Sequence, residues 1–205
     1  STPRSSRGTS SAATTRGSSP SVLALPTGRI ETPRLVLRPW READAPLLRE
    51  AIDAALPELQ RWMPWARAEP VPVEALAERI RGFADAWDAG RDFIYGILSA
   101  DESRALGGTG IHPRDGADPT RVEIGYWIRT DATGQGLATE AARAVLAEAA
   151  RLPGVACVEI RCDPLNLASA AVARRAGAVH ARTIPAHEIV VDGEHRDTMV
   201  WEWRA

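Results

Sequence analysis

The stretch RTDATGQGLATEAARAVLAEAA, residues 129–150, places Gly134, Gln135, Gly136 and Ala138 where a long alanine-rich helix must begin. Glycine is a poor helix former, so these small residues serve something other than helix stability. In such a turn the backbone N–H groups are unpaired, and the helix dipole adds positive potential there. Small side chains also let an anion approach the main chain, which is a chemistry for phosphate. Two phosphate signatures are excluded. There is no G-x-x-x-x-G-K-[ST], and no lysine anywhere; nor is there G-x-G-x-x-G, since Gly134-Gln135-Gly136 continues Leu137-Ala138-Thr139. From these residues alone, an anion cradle and a merely structural turn stand side by side.

Other residues invite chemical readings, each with a plainer one beside it. In RVEIGYWIRT, alternation puts Val122, Ile124, Tyr126 and Ile128 on one strand face and Glu123, Gly125, Trp127 and Arg129 on the other. Glu123 is a candidate base or the partner of a neighbouring arginine. Glu188, in PAHEIVV, is a candidate base or a solvent-facing strand residue. Asn166 reads as a helix cap, with Ser169 in the first turn, where serine is common anyway. Trp62 and Trp65, either side of Met63-Pro64, wall a pocket or pack a core. The four histidines show no metal-ligand spacing, and His187 is expected on the face opposite Glu188. Cys157 and Cys162, five apart on a strand, face opposite ways and are not expected to pair; a reducing cytosolic setting is the default.

The elements that would hold these residues follow from periodicity. RLVLRPW reads as a strand, and Asp44 as the start of a helix through APLLREAIDAAL. LPELQRWMPWA reads as a connector rich in Pro and Trp. A helix carries Leu76, Ile80, Phe83 and Trp87 on one face and stops at Gly90. Strands follow at DFIYGILSA, RALGGTGIHP and RVEIGYWIRT, then the alanine-rich helix to about Leu152. VACVEIRC is a strand, NLASAAVARRAGA a helix ending at Gly177, and the last two strands turn at Asp192-Gly193. The strands near residues 125 and 158 must be parallel, joined by the crossover helix.

Composition sets the outer limits. A chain of 205 residues, 44% hydrophobic and 25% charged, suits one globular domain. Residues 1–28, rich in Ser, Thr, Gly and Arg and free of acids, are expected to be a disordered tail, leaving a domain over 29–205. The net charge of −2 argues against a nucleic-acid partner. No run of 18 apolar residues offers a membrane span. Over residues 29–205, 22 arginines face 27 acids, a balance of −5.

ETPRLVLRPWREADAPLL, WMPWA, EIGYWI, GQGLATEA and NLASAAVARRAGA, in this order and spacing, resemble the GNAT superfamily of acyl-CoA N-acyltransferases. Within it they resemble the RimJ/RimL-like branch of protein N-terminal acetyltransferases, over nearly all of residues 30–205. The resemblance implies an α/β fold with a mixed, mostly antiparallel sheet splayed in the middle and helices on both faces. It implies acetyl-CoA as co-substrate, no metal, and direct acetyl transfer to a primary amine, foremost a protein or peptide N-terminus. A small-molecule amine acetyltransferase and a catalytically silent CoA-binding module are the alternatives, with the chain a cytoplasmic monomer or homodimer.

It further implies that the backbone of Trp127, Ile128 and Arg129 pairs with the pantetheine arm, one N–H stabilising the oxyanion. The nucleotide end would lie over Thr133, Gly134, Gln135, Gly136, Leu137, Ala138 and Thr139, with Asn166 reaching the pantetheine. Glu188, 19 residues after Ser169, and then Glu123 are implied as base; Ser169 returns a proton to the thiolate; Trp62 and Trp65 wall the acceptor. One departure stands out: the loop's usual leading Gln or Arg is Thr133 here.

Overall fold

The computed structural model describes residues 24–113, 118, 120–191 and 194–204 and, for residues 188–191 and 194, the backbone only. The elements run β1 (Ile30–Glu31), β2 (Leu35–Pro39), α1 (Ala45–Asp53), α2 (Leu56–Trp62), α3 (Val73–Asp88), β3 (Phe93–Ser99), β4 (Ala105–Pro113) and β5 (Arg121–Ile128). They continue with α4 (Leu137–Ala149), β6 (Cys157–Cys162), α5 (Leu167–Ala176), β7 (Val179–Val191) and β8 (Glu194–Trp203). The described strands form one sheet in the order β1-β2-β3-β4-β5-β6-β8-β7. Every pairing is antiparallel except β5 with β6, which α4 connects.

Strand alternation divides the interior into two cores. Leu35 and Leu37 of β2, with Phe93, Ile97, Val122, Ile124, Val158 and Ile160, face α4 and α5; Val36, between the two leucines, and Leu98 face α1–α3. Helix α4 lies close on the sheet because its buried face includes Ala141, Ala142 and Ala149, all fully buried. Opposite it, Leu48, Ile52, Leu59, Leu76 and Ile80 close the second core.

Several expectations need correction. LPELQRWMPWA is not a plain connector: it forms α2 and then a 3-10 turn over Pro64–Ala68. Pro57 occupies the first helical turn, where its missing N–H costs nothing. Asp44 does precede α1, but its buried carboxylate accepts from the Arg38 guanidinium at 2.6 Å and the Arg41 N–H at 2.7 Å, not from the helix amides. Burial pushes that carboxyl up in pKa, and Arg38 outweighs it, holding it below the usual range. Helix α4 stops at Ala149, three residues short of Leu152. Of the expected tail, residues 1–23 lie outside the described residues. Thr27 is tied to the fold, its N–H donating to Glu148 Oε1 and its carbonyl accepting from Tyr95 Oη. The turn at Asp192-Gly193 also lies outside them.

The parallel seam is short. β5 and β6 pair only from Arg121↔Cys157 to Ile124↔Ile160, although β5 runs on to Ile128 and β6 to Cys162. The sheet therefore splays beyond Ile124. The closed end of the seam is held by a lattice of guanidinium and carboxylate groups. Arg121 donates to Glu159 at 2.8 Å and Glu202 at 2.7 Å, and Arg182 to the same two acids at 3.1 Å. No described helix is long and apolar enough to cross a membrane.

Candidate active site

The splay opens a cleft of about 830 Å³ that passes between β5 and β6. One half lies on the α4/α5 side, reached by Tyr126, Cys162, Asn166 and Ser169. The other is floored by the sheet and walled by Trp62, Trp65, Phe83 and Trp127.

The edge of β5 along the gap is set by pairing. The Arg129 N–H donates to Leu106 O, and antiparallel alternation then turns Trp127 to β4 as well, opposite Gly108. On the other edge, Cys157 N–H donates to Thr120 O, so even-numbered residues face β6. Val122 and Ile124 lie within the paired part of the seam, while Tyr126 and Ile128 lie beyond it, with their N–H and C=O groups directed into the gap. Of Trp127, Ile128 and Arg129, Ile128 directs its backbone groups into the gap, as Tyr126 does, while Trp127 and Arg129 direct theirs to β4. Arg129 is otherwise engaged, its carbonyl accepting from the Ala132 N–H and its guanidinium bound to Glu50 and Asp131.

Asn166 caps α5, its Oδ1 accepting from the Ser169 N–H at 3.0 Å. The Tyr126 hydroxyl donates to Ser169 O at 3.1 Å and stands 3.3 Å from Ser169 Oγ. Burial pushes the Tyr126 phenol well above its ordinary value, so it stays protonated. Tyr126 was missed from the sequence, where it read only as an apolar-face residue; a polar-tipped residue two before the end of the central strand was the available signal. Burial likewise raises the Cys162 thiol, and both cysteines are free.

A second concavity, about 1000 Å³, lies over the glycine turn. Gly134 has φ +75 and Gly136, capping α4, has φ +77, a region L side chains rarely adopt. A Cβ at Gly134 would meet nothing within 4 Å, so the turn is open to a ligand. Gln135 and Thr139 line the concavity too, together with Arg34, Arg143 and Arg175. Among the residues expected there, Leu137 is buried in the core, the Thr133 hydroxyl donates to Thr130 O, and Ala138 does not reach the lining. Arg34 fixes the turn, donating to Gln135 O at 2.9 Å and to Glu140 Oε2 at 2.7 Å. Burial raises the Glu140 carboxyl, but the Thr32 hydroxyl and Arg34 outweigh that and keep it charged.

In the half walled by tryptophans, the rings of Trp65 and Trp127 lie 6.2 Å apart at 55°, and Trp62 donates to Glu58 under the Arg61 guanidinium. Glu123 lines this half with its Oε2 3.3 Å from Arg161 Nε. Glu188 lies in β7, its side chain outside the described residues, while His187 lines the cleft with a buried Nδ1. Asp92 and His112 also line it, and neither stands in a motif that singles it out in the sequence. Among the described residues, no group of three or more His, Cys, Asp or Glu side chains is placed to hold a metal ion.

The chain that builds this splayed seam and glycine turn matches the family model of the acetyltransferase (GNAT) domain over residues 34–179. The chain belongs to the GNAT acetyltransferase family. It is an acetyl-CoA-dependent N-acetyltransferase of that type, with its sheet order and splay in the family's fold. No curated protein sequence matches it. Among solved structures it is similar to RimL, a ribosomal L7/L12 alpha-N-protein acetyltransferase in complex with coenzyme A. The TM-score is 0.75 at 22% identity, covering 86% of this chain and 97% of that one. It is similar also to the microcin C7 self-immunity acetyltransferase MccE in complex with acetyl-CoA and AMP (0.76, 19%, 85% and 94%). A third is Mycobacterium smegmatis RimJ in complex with CoA-disulfide (0.74, 23%, 87% and 86%). The residues present fit acetyl-CoA: an open positive-φ turn beside three arginines for the phosphates, and a free strand edge for an amide-bearing arm.

Proposed function

We propose that this GNAT enzyme acetylates the α-amine of a protein or peptide N-terminus by direct attack in a ternary complex. The observation that carries the reading is a cleft open through the splay, with donor groups on one side of the sheet and acidic and aromatic side chains on the other. Asp92 and Glu123 suit an incoming ammonium, and Trp62, Trp65 and Trp127 suit the flat backbone that follows it. RimL and RimJ, with which the fold is shared, bear on the acceptor only by similarity.

In this reading Gly134, Gln135, Gly136 and Thr139 hold the pyrophosphate, helped by Arg34 in place of the side chain that Thr133 does not supply. Tyr126 and Ile128 pair with the pantetheine, and the Ile128 N–H is the donor toward the developing oxyanion. Glu123, with Asp92, helps to hold the ammonium, whose proton passes to a base in this half of the cleft. Ser169, backed by Tyr126, returns a proton to the departing thiolate, and Asn166 orients the arm. A second reading, a small-molecule amine, is favoured by the Trp65–Trp127 pair, which suits a planar ring.

The deciding experiment presents the enzyme and acetyl-CoA with tripeptides bearing free α-amines and with a panel of small aromatic amines. Thiol release is read alongside mass analysis of the products. Acetylated peptides at higher kcat/KM than any small amine support the first reading; the reverse order supports the second. A protein that binds acetyl-CoA and acetylates neither would sink both.

A further inference from the structure

We infer that His112, oriented by Asp92, is the general base that takes the proton from the amine. The inference rests on the amine-acetylation reading above. His112 Nδ1 lies 2.6 Å from Asp92 Oδ1, so the neutral ring carries its proton on Nδ1 and leaves Nε2 with a lone pair. A carboxylate in this place fixes the tautomer and stabilises the imidazolium once the proton arrives.

The position of Nε2 is what makes this more than a half-exposed ion pair, which contributes little to stability. His112 stands on β4 directly opposite Glu123 of β5, and its ring lies back over the sheet toward Gly110 and Gly125. A Cβ at Gly110 would come within 2.9 Å of ring atoms Cε1 and Nε2, so the imidazole occupies space that only glycine leaves clear. A Cβ at Gly125 would stand 3.6 Å from Nε2. Gly125 is the first β5 residue beyond the last β5–β6 pair, at Ile124↔Ile160. The basic nitrogen thus sits over the start of the gap, on the acceptor side of the strand whose free edge would hold the thioester.

The nearby carboxylate is less suited. Glu123 Oε2 is already engaged by Arg161 Nε at 3.3 Å. Among the described residues, the charged and titratable groups that share the cleft with His112 are Arg79 from α3, Asp92 before β3, Glu123 and Tyr126 from β5, Arg161 and Cys162 from β6, Asp163 just after it, and His187 from β7.

The step balances as follows. His112 Nε2 takes one proton from the ammonium, and the freed amine nitrogen bonds to the thioester carbonyl carbon. The C–S bond then breaks, the second proton lost from nitrogen finishes on sulfur, and the imidazolium releases the first to solvent.

The test uses the full chain with acetyl-CoA and the best tripeptide acceptor, comparing wild type with His112→Gln and Asp92→Asn across pH. His112→Gln is expected to keep its acetyl-CoA affinity and lose about 10²–10³-fold in kcat at neutral pH. Its deficit shrinks as rising pH frees the amine without help from a base. Asp92→Asn is expected to lose less, and nitrogen-15 spectra of its labelled histidines should show His112 no longer held as the Nδ1–H tautomer. A His112→Gln rate within threefold of wild type, with the same deficit at every pH, would overturn the inference while leaving the acetylation reading standing. A His112 protonated at Nε2 in wild type would overturn it as well. A wild type that binds acetyl-CoA but acetylates no amine would remove both together.

Discussion

In the proposed reading, the donor and acceptor sides of the site are built on different plans. The donor half is made largely of backbone: two positive-φ glycines at a helix start, the free edge of one strand, and the capped first turn of α5. Apart from Arg34, Arg143 and Arg175, its parts come from two short runs, 126–139 and 162–169. The acceptor half is made of side chains from α2 and the turn after it, α3, the loop before β3, β4 and β5. Backbone geometry can hold the part of a substrate that never varies. Side chains contributed singly by separate elements can each change without disturbing that hold, which is how one family fold accommodates different acceptors.

If the division is real, the two halves should fail differently. The largest effect is expected from Gly136→Trp, which combines a strained φ with a bulky ring over the turn; calorimetric titration should find saturable acetyl-CoA binding abolished. Detectable binding within tenfold of wild type would break the comparison at its donor end. Next is Tyr126→Phe, expected to lower kcat about 10²-fold with acetyl-CoA affinity nearly unchanged, measured by steady-state kinetics and titration on the same protein. Trp65→Ala should act on the acceptor side alone, raising KM for the amine about tenfold while KM for acetyl-CoA holds.

The smallest effect lies outside both halves, at the closed end of the seam. Hydrogen bonds from Arg204 and Arg121 lower the Glu202 carboxyl from an ordinary 4.5 to about 2. A lowered folded-state pKa contributes stability that is fully present above about 4.5 and is lost as pH falls toward 2. Thermal melts of Glu202→Gln should therefore fall a few degrees below wild type at pH 7 and converge with it near pH 2. Acetyl-CoA affinity at pH 7 should not move.

The same division governs what could be read from the sequence. The glycine turn, the Asn166 cap and the Gly177 stop depend on neighbours in the chain, and GQGLATEA and NLAS state them in order. The choice of free strand edge does not: side-chain alternation in RVEIGYWI says which face a residue occupies, not which of its edges β4 has already taken. Trp127 and Arg129 were therefore expected beside Ile128, and Tyr126, which shares the edge of Ile128, was not. Asp92 and His112, 20 residues apart, meet only through the register of β3 against β4, which begins at Phe93↔Ile111. Helix α2 was hidden by Pro57 and Pro64, which read as breakers but border the helix without interrupting it.

The guanidinium lattice along the seam belongs to a wider fact: every lysine-or-arginine position in the chain is arginine. A lysine ε-amine is itself an acceptor for acetyl groups, whereas a guanidinium stays protonated and resists acylation. Arg34, Arg79, Arg143, Arg161 and Arg175 line the two concavities without offering a competing nucleophile to the thioester. The enzyme can thus carry its positive charge beside a reactive acyl donor without becoming its own substrate at those side chains.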